Sequence, residues 1–471
     1  MAPTGQLTST HRLPGADPHR PAGSLFTWWL GTGGERWARR LLIAAAALLV
    51  LDSAGTLQVG YALTPSYLLV ALACLLGAPQ LIARRHTVSR LVVWLALALL
   101  GAYLLAAAFG HAETIAASGR AGHLRQYAYL VDLGVGLASM LLVAVLFGGR
   151  SPAPLARAVA VAGGLAGAYG LYQWFALRYG LPLRNINNTI DSNGITTGAS
   201  QGVGLFGSER VRGTFLEPHF LAAFLAGTLP LQVWAVLRTR GLERTAWAVG
   251  AAAAAAALLL TDSTPGWAAL ILGTGTAGLL AAIGRGRVVA SAALALSVAA
   301  VWIAAVPAIT DPGLLASLTG RSAASIDLTT SFRTHIWSVA TQIWAHRPVL
   351  GNGPGQSSVR LASALSAPAP PRTLASAQGI WAAALIDAGV VGLALWVYLI
   401  GSVVVAGGAS LLRRPTLLRW AAVSGAVAVT LEVAISGDRL GPAHWLMLGL
   451  LLAASRGPAA ADGGEPEEEP G

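Results

Sequence analysis

Twelve long apolar runs, separated by polar breaks, dominate the chain. They lie at about 39–57, 62–82, 90–109, 127–148, 154–177, 214–237, 245–261, 265–284, 288–310, 379–408, 415–436 and 441–455. Many of them reach the roughly 20 residues that a helix needs to cross a bilayer core. Lipid offers no partner to backbone polar groups, so a spanning run must satisfy them internally, as a helix does. The pattern predicts an all-α, polytopic helical membrane protein with about 12 transmembrane helices. The run at 39–57 is short, and the one at 245–261 contains the weakly apolar AAAAAAALLL. Two polar stretches break the series: 178–213, rich in Asn, Gly, Thr and Ser, and 311–378, the one segment of soluble-domain size. The expected organisation is a polar segment at 1–38, helices 1–9 over 39–310, a large loop at 311–378, helices 10–12 over 379–456, and an acidic tail at 457–471.

Composition agrees with this pattern. Of the 471 residues 55% are hydrophobic and only 11% charged, about half the charge of a soluble domain. The opening 38 residues carry no cleavable signal pattern, so the first span is expected to act as its own insertion signal. The lone Cys74 rules out an intrachain disulfide. The net charge is +11, and every basic residue is Arg. In a soluble chain this would point to nucleic acid. Here no basic stripe sits on a soluble module, and loop arginines set membrane orientation instead. With a cytoplasmic N-terminus, nineteen arginines fall on the cytoplasmic side and twelve opposite, nine of those twelve in the two long segments. Long loops escape the orientation bias. Both termini are therefore expected in the cytoplasm, and both long segments outside.

Within the large loop, SFRTHIWSVATQIWAHRP places Phe332, Ile336, Val339, Ile343 and Trp344 near helical spacing. Ser331 suits a helix cap and Pro348 a stop, so a helix lying on the membrane surface is expected. GNGPG, at 351–355, lacks the GK[ST] of a phosphate loop and reads as a tight turn.

Acids inside apolar runs are costly and mark functional or paired positions. Asp132, Glu217, Asp387 and Glu432 all fall toward the outer ends of their expected spans, which suggests a polar cavity open to the outside. The alternative is four helix ends paired with nearby arginines. Arg210, Arg212 and Arg333 lie at the same depth. The planar guanidinium fork binds two phosphate oxygens at once, so these residues suit a phosphate or diphosphate, with simple headgroup contact as the alternative. No HxxEH, CxxC or DxD pattern occurs, and neither a catalytic metal nor a cofactor is indicated.

Three stretches resemble the O-antigen ligase family of ligases and polymerases. RVRGTFLEPHFLAAFLAGTLPL is similar to the family's R-x-R-G-T-F…P-N-x-x-A-x-x-L. SFRTHIWSVATQIWAHRPVLGNGPG is similar to R-x-x-x-W…P-x-x-G-x-G-x-G in the large outer loop. SAQGIWAAALIDAGVVGLALW is similar to H-N-x-x-L…E-x-G-x-x-G-L opening the next span. These cover about residues 205–400, and a large loop between helices 9 and 10 also matches the family's architecture.

The resemblance implies a bacterial inner-membrane enzyme working on the exoplasmic face without a metal. The donor would be a glycan on a polyprenyl diphosphate, and the acceptor a sugar hydroxyl on a lipid core or on another lipid-linked glycan. Arg210, Arg212 and Arg333 would hold the diphosphate as it leaves. Other polysaccharide-assembly proteins are possible partners. Gln378 stands where the family has the His thought to act as base, and Gly379 where it has Asn. Gln takes no proton at neutral pH. The base would then be His219, Glu217, His335 or Asp387, unless positioning alone suffices or catalysis is lost. Glu217 and His219 are two apart, so on one unbroken helix they would point to different sides. The competing expectations are a transporter or flippase for lipid-linked glycan, which would usually show two related halves, and a non-catalytic assembly factor.

Overall fold

A computed structural model describes residues 32–55, 57–58, 62–115, 121–184, 186, 210–215, 217–287, 323–366, 375–437 and 439–456. In chain order the helices are α1 (Thr32–Ala47), α2 (Pro65–Arg84), α3 (Arg90–Phe109), α4 (Gly122–Phe147), α5 (Ala153–Tyr179), α6 (Pro218–Arg238) and α7 (Gly241–Leu260). They continue as α8 (Thr264–Gly284), α9 (Ala323–Ala345), α10 (Ser357–Ser366), α11 (Ile380–Arg413), α12 (Leu417–Ile435) and α13 (Pro442–Arg456). One two-stranded antiparallel ribbon, β1 (Leu57–Gln58) with β2 (Ala62–Leu63), is added to the all-helical expectation.

Among the described residues nine helices are long and apolar enough to cross a membrane, so the chain is a multi-pass helical membrane protein. Those nine correspond to nine of the twelve expected runs. The run at 39–57 becomes the 16-residue α1 followed by 3-10 turns at Leu48–Gly55. The run at 441–455 becomes the 15-residue α13. Both are shorter than a typical crossing of roughly 20 residues. The expected span at 288–310 lies outside the described residues.

Burial separates central helices from peripheral ones. In α4 and α6, 72% of the most apolar window is buried inside the protein, and in α12 67%, against 22% in α7. Lipid is as apolar as Leu, so helices associate through close packing of small residues. A Cβ added to Gly273 of α8 would sit 2.5 Å from the Ser424 carbonyl oxygen of α12. One added to Gly167 of α5 would lie 2.5 Å from the Ala254 backbone nitrogen of α7.

The helix expected from Ser331 starts earlier, at Ala323. Ser331 therefore sits inside α9, and its carbonyl accepts from the Thr334 hydroxyl at 2.9 Å. Nor does the stripe of α9 rest on lipid alone. Ile336 and Ala340 are buried against Leu361, Ala382, Ala383 and Ile386 of α10 and α11. Phe332 remains exposed.

α11 is broken at Gly389, where φ is +66° and ψ −163°, a conformation that only Gly adopts without strain. The break would orphan two steps of the helical ladder, and the segment 348–353 replaces both. The Val390 and Val391 amides donate to the Pro348 and Val349 carbonyls at 2.8 and 3.4 Å. In return the Ile386 carbonyl accepts from the Asn352 amide at 2.7 Å, and the Asp387 carbonyl from the Gly353 amide at 2.9 Å. Irregular backbone at membrane depth is tolerated where protein buries it, and residues 351–359 are buried throughout. Arg125 and Arg347 anchor this segment further, donating to the carbonyls of Gly355 and Phe109, both at 2.8 Å.

Candidate functional site

The arginine-rich stretch before α6 is fixed by a buried amide. Gln173 of α5 accepts through Oε1 from the amides of Arg212 and Gly213, at 3.0 and 2.7 Å. The Val211 amide donates to the Leu260 carbonyl at 3.2 Å. Arg210 reaches the same end of α7, donating from Nε to the Thr261 carbonyl at 3.0 Å and from Nη2 to the Asp262 carbonyl at 3.1 Å. A helix C-terminus favours such a cation. Arg212 is buried and acts electrostatically on Tyr169 of α5.

Pro218 occupies the first position of α6, and Glu217 caps it with extended backbone, φ −136° and ψ 156°. Glu217 is therefore not on the helix, and the expected divergence from His219 does not occur. Its Oε2 lies 3.1 Å from His219 Nδ1. That contact assigns the proton to Nδ1 when the ring is neutral, leaving Nε2 as the acceptor. Nε2 is buried, without a hydrogen-bond partner among the described residues. Burial raises the Glu217 pKa, but His219, Arg210 and Arg333 together outweigh it and hold the carboxyl below its ordinary value.

Two more elements close the cluster. Arg333 of α9 acts on both Glu217 and Glu432. Glu432, buried near the end of α12, also lies in the field of His219. Its Oε1 has no hydrogen-bond partner among the described residues. The cluster thus gathers two cations, two acids and one imidazole from the entry to α6, from α9 and from α12. Among the described residues, no three His, Cys, Asp or Glu side chains gather to hold a metal.

Other sequence-derived candidates lie elsewhere. Asp387 is fully buried, and its carboxylate accepts from the amides of Gly355 at 2.9 Å and Ser357 at 2.6 Å. It staples the inserted turn and acts with Asp132 on Tyr129. Of the four acids expected to share one cavity, Glu217 and Glu432 both act with His219 and Arg333, whereas the Asp387 carboxylate of α11 is taken up by the backbone at 355 and 357. His335 is exposed on α9 two residues from Arg333, and so faces a different side of that helix. Gln378 is half-buried with φ +52°. Its carbonyl accepts from Trp337 Nε1 at 3.0 Å, and its amide donates to Ser376 Oγ at 3.3 Å. This bond and the Trp337–Trp381 edge contact, at 5.4 Å, seat α9 on the start of α11. Glu432 could be singled out as an acid within an apolar run, whereas nothing in the sequence marks Gln173 as the clamp.

A family model described as O-antigen ligase matches residues 249–397, so the resemblance seen in the sequence is shown over that stretch. The match runs from α7 into α11. It takes in Arg333, the inserted turn and Gly389, and stops short of Arg210–His219 and of Glu432. A search of curated proteins returns no match.

Proposed function

From residues 249–397 that carry the O-antigen ligase family's domain, we propose that this membrane protein joins glycans on the outer face of the cytoplasmic membrane. The donor is a glycan on a polyprenyl diphosphate, and the acceptor a hydroxyl of a lipid core or of another lipid-linked glycan. The single observation that carries the reading is the Arg210–Glu217–His219–Arg333–Glu432 group. It sets two arginines, whose guanidinium groups suit a diphosphate, beside an imidazole whose tautomer a carboxylate fixes.

In this mechanism His219 Nε2 takes the proton from the acceptor hydroxyl, while Glu217 holds the ring and stabilises the imidazolium that forms. The acceptor oxygen bonds to the anomeric carbon. The bond from that carbon to the diphosphate oxygen breaks, and the leaving diphosphate keeps the electron pair. Arg210 and Arg333 offset the charge growing on it, the kind of preorganised stabilisation that carries much of an enzyme's rate. Arg212 contributes through the stretch that positions Arg210. Gln378 holds α9, and Arg333 with it, through its backbone.

Single Ala replacements of Arg210, Glu217, His219 and Arg333 test the reading, with surface polysaccharide separated on a gel. Loss of product in membranes that still contain the protein supports it. Normal polysaccharide from all four variants refutes it. Long chains without lipid-core attachment select a ligase, and accumulated single repeats a polymerase.

A further inference from the structure

The glycan-joining chemistry uses His219 and leaves Glu432 without a task. Glu432 is buried near the end of α12. A Cβ added to Gly227 of α6 would meet Val429 of α12 and lie 3.6 Å from the Gly425 carbonyl oxygen, so the two helices touch along this line. Glu432 stands about two turns beyond Gly425, on the same face of α12. Phe220 stands about two turns before Gly227, on the same face of α6. Its ring centroid is 4.1 Å from that of His219. Glu432 lies in the field of His219, so the helices run in opposite directions from their crossing and bring these two ends together.

Both groups present an acceptor with nothing to accept. Glu217 holds the Nδ1 proton of the neutral ring, which makes His219 Nε2 an acceptor. Nε2 and Glu432 Oε1 are each buried without a hydrogen-bond partner among the described residues, so they are not bonded to each other either. A carboxylate has about four acceptor positions. The Ser436 hydroxyl, which acts on Glu432 from one turn further on, has a single proton to give it. Orphaned buried polar groups call for an explanation, and two acceptors at one place call for a ligand with two donors. Charge narrows the choice. Glu217 and Glu432 stand on the field of the same ring, which disfavours an anion between them. Arg210 and Arg333 offset these acids, which weakens the pull on a cation. A neutral group with adjacent hydroxyls fits both conditions.

We propose that Glu432 recognises the acceptor sugar: its Oε1 accepts from a hydroxyl adjacent to the one that His219 Nε2 deprotonates, so the site takes a vicinal diol. The inference rests on His219 as the base. The second hydroxyl anchors the sugar and aims the attacking oxygen at the anomeric carbon. Water has no second hydroxyl on a fixed carbon frame, so Glu432 also favours transfer to sugar over hydrolysis. In hydrolysis His219 takes its proton from water, the water oxygen bonds to the anomeric carbon, and the diphosphate leaves with the electron pair as before.

The test uses the purified full-length protein, reconstituted with the lipids and lipid-linked glycans of its source membranes. Two products are measured, glycan joined to glycan or lipid core and glycan released as free reducing sugar. Loss of a hydrogen bond to a charged group should raise the ratio of released to joined glycan about 10-fold to 100-fold in Glu432→Ala. Glu432→Gln keeps a neutral acceptor of roughly half the strength, so the rise there should be about threefold to tenfold. The Gln variant decides if Ala fails to fold. Ethanol and ethylene glycol, added in turn as competing acceptors, differ by one hydroxyl on the adjacent carbon. Wild type should favour ethylene glycol by about tenfold, and Glu432→Ala by only about twofold, the statistical excess of two equivalent hydroxyls. An unchanged ratio of released to joined glycan in folded Glu432 variants overturns the proposal, even if both products fall together. Equal preference for ethylene glycol in wild type and Glu432→Ala also overturns it. His219→Gln, run alongside, separates the two failures. Full activity there removes the base on which the inference rests, whereas an unchanged ratio with inactive His219→Gln removes only the role of Glu432.

Discussion

Replacing Asp387 separates two roles for the one acid that lies in a family-like motif yet away from the cluster. Its carboxylate accepts from two buried amides, at 2.9 and 2.6 Å. Hydrogen bonds to a charged group contribute about 1.5–3 kcal/mol each, so the pair is worth roughly 3–6 kcal/mol if the two act independently. Asp387→Ala orphans both amides and should cost about that much. Asp387→Asn keeps one acceptor oxygen and turns an NH2 toward the other amide, so it should lose about 1.5–3 kcal/mol. Thermal unfolding in detergent, followed by Trp fluorescence, should rank wild type above Asn and Asn at or above Ala. Glycan synthesis should fall in step with the folded fraction. If both variants unfold with the wild type while glycan synthesis disappears, the staple reading is refuted and the carboxylate belongs to the chemistry.

Other consequences are equally direct. Gly389→Ala puts a Cβ against the Val349 carbonyl at a φ of +66°. It should cost at least the ~1–2 kcal/mol of a left-handed L-residue, seen as reduced yield of folded protein. Trp337→Phe removes the bond to the Gln378 carbonyl and should cost about 1 kcal/mol. Product formation should fall further than stability, because Arg333 shifts with α9. Glu217 is held below its ordinary 4.5, so its ionised form adds stability above that pH, and the benefit is lost as pH falls through the depressed value. Glu217→Gln should therefore unfold below the wild type at pH 7, and the gap should close as the pH falls through that depressed value. A gap independent of pH would refute the ionic account. His219→Gln should abolish product while leaving the unfolding temperature within a few degrees, and a fully active variant would move the base elsewhere.

The spans were legible because a bilayer imposes one requirement along a whole run, and nine of the expected runs are crossing-length helices. The run at 39–57 outlasts α1 because apolar residues continue past Ala47 into the 3-10 turns, whereas α13 agrees with the run at 441–455 to within a residue at each end. Glu217 and His219 were set apart by a helical period that starts only at Pro218. Pro at the first helical position was itself the available signal. Asp387 and Glu432 look alike in the sequence, as lone acids in apolar runs. Their difference lies in partners far along the chain: the backbone at 355 and 357 for one, Arg333 and His219 for the other. Gln173, the clamp of the arginine stretch, carries no mark at all, since an amide on a helix reads the same whether or not it is satisfied.

The break in α11 also bears on how the chain is made. Synthesis delivers the turn at 348–355 before residues 386–391, so the donors of Asn352, Gly353 and Gly355 exist before their acceptors. Four backbone bonds and the Asp387 staple then form when the later segment arrives. A nascent chain stopped before Ile386 would hold this turn open to protease, and one extended past Val391 would close it. Digestion of ribosome-stalled chains at those two lengths would time the step at which loop and helix become one unit.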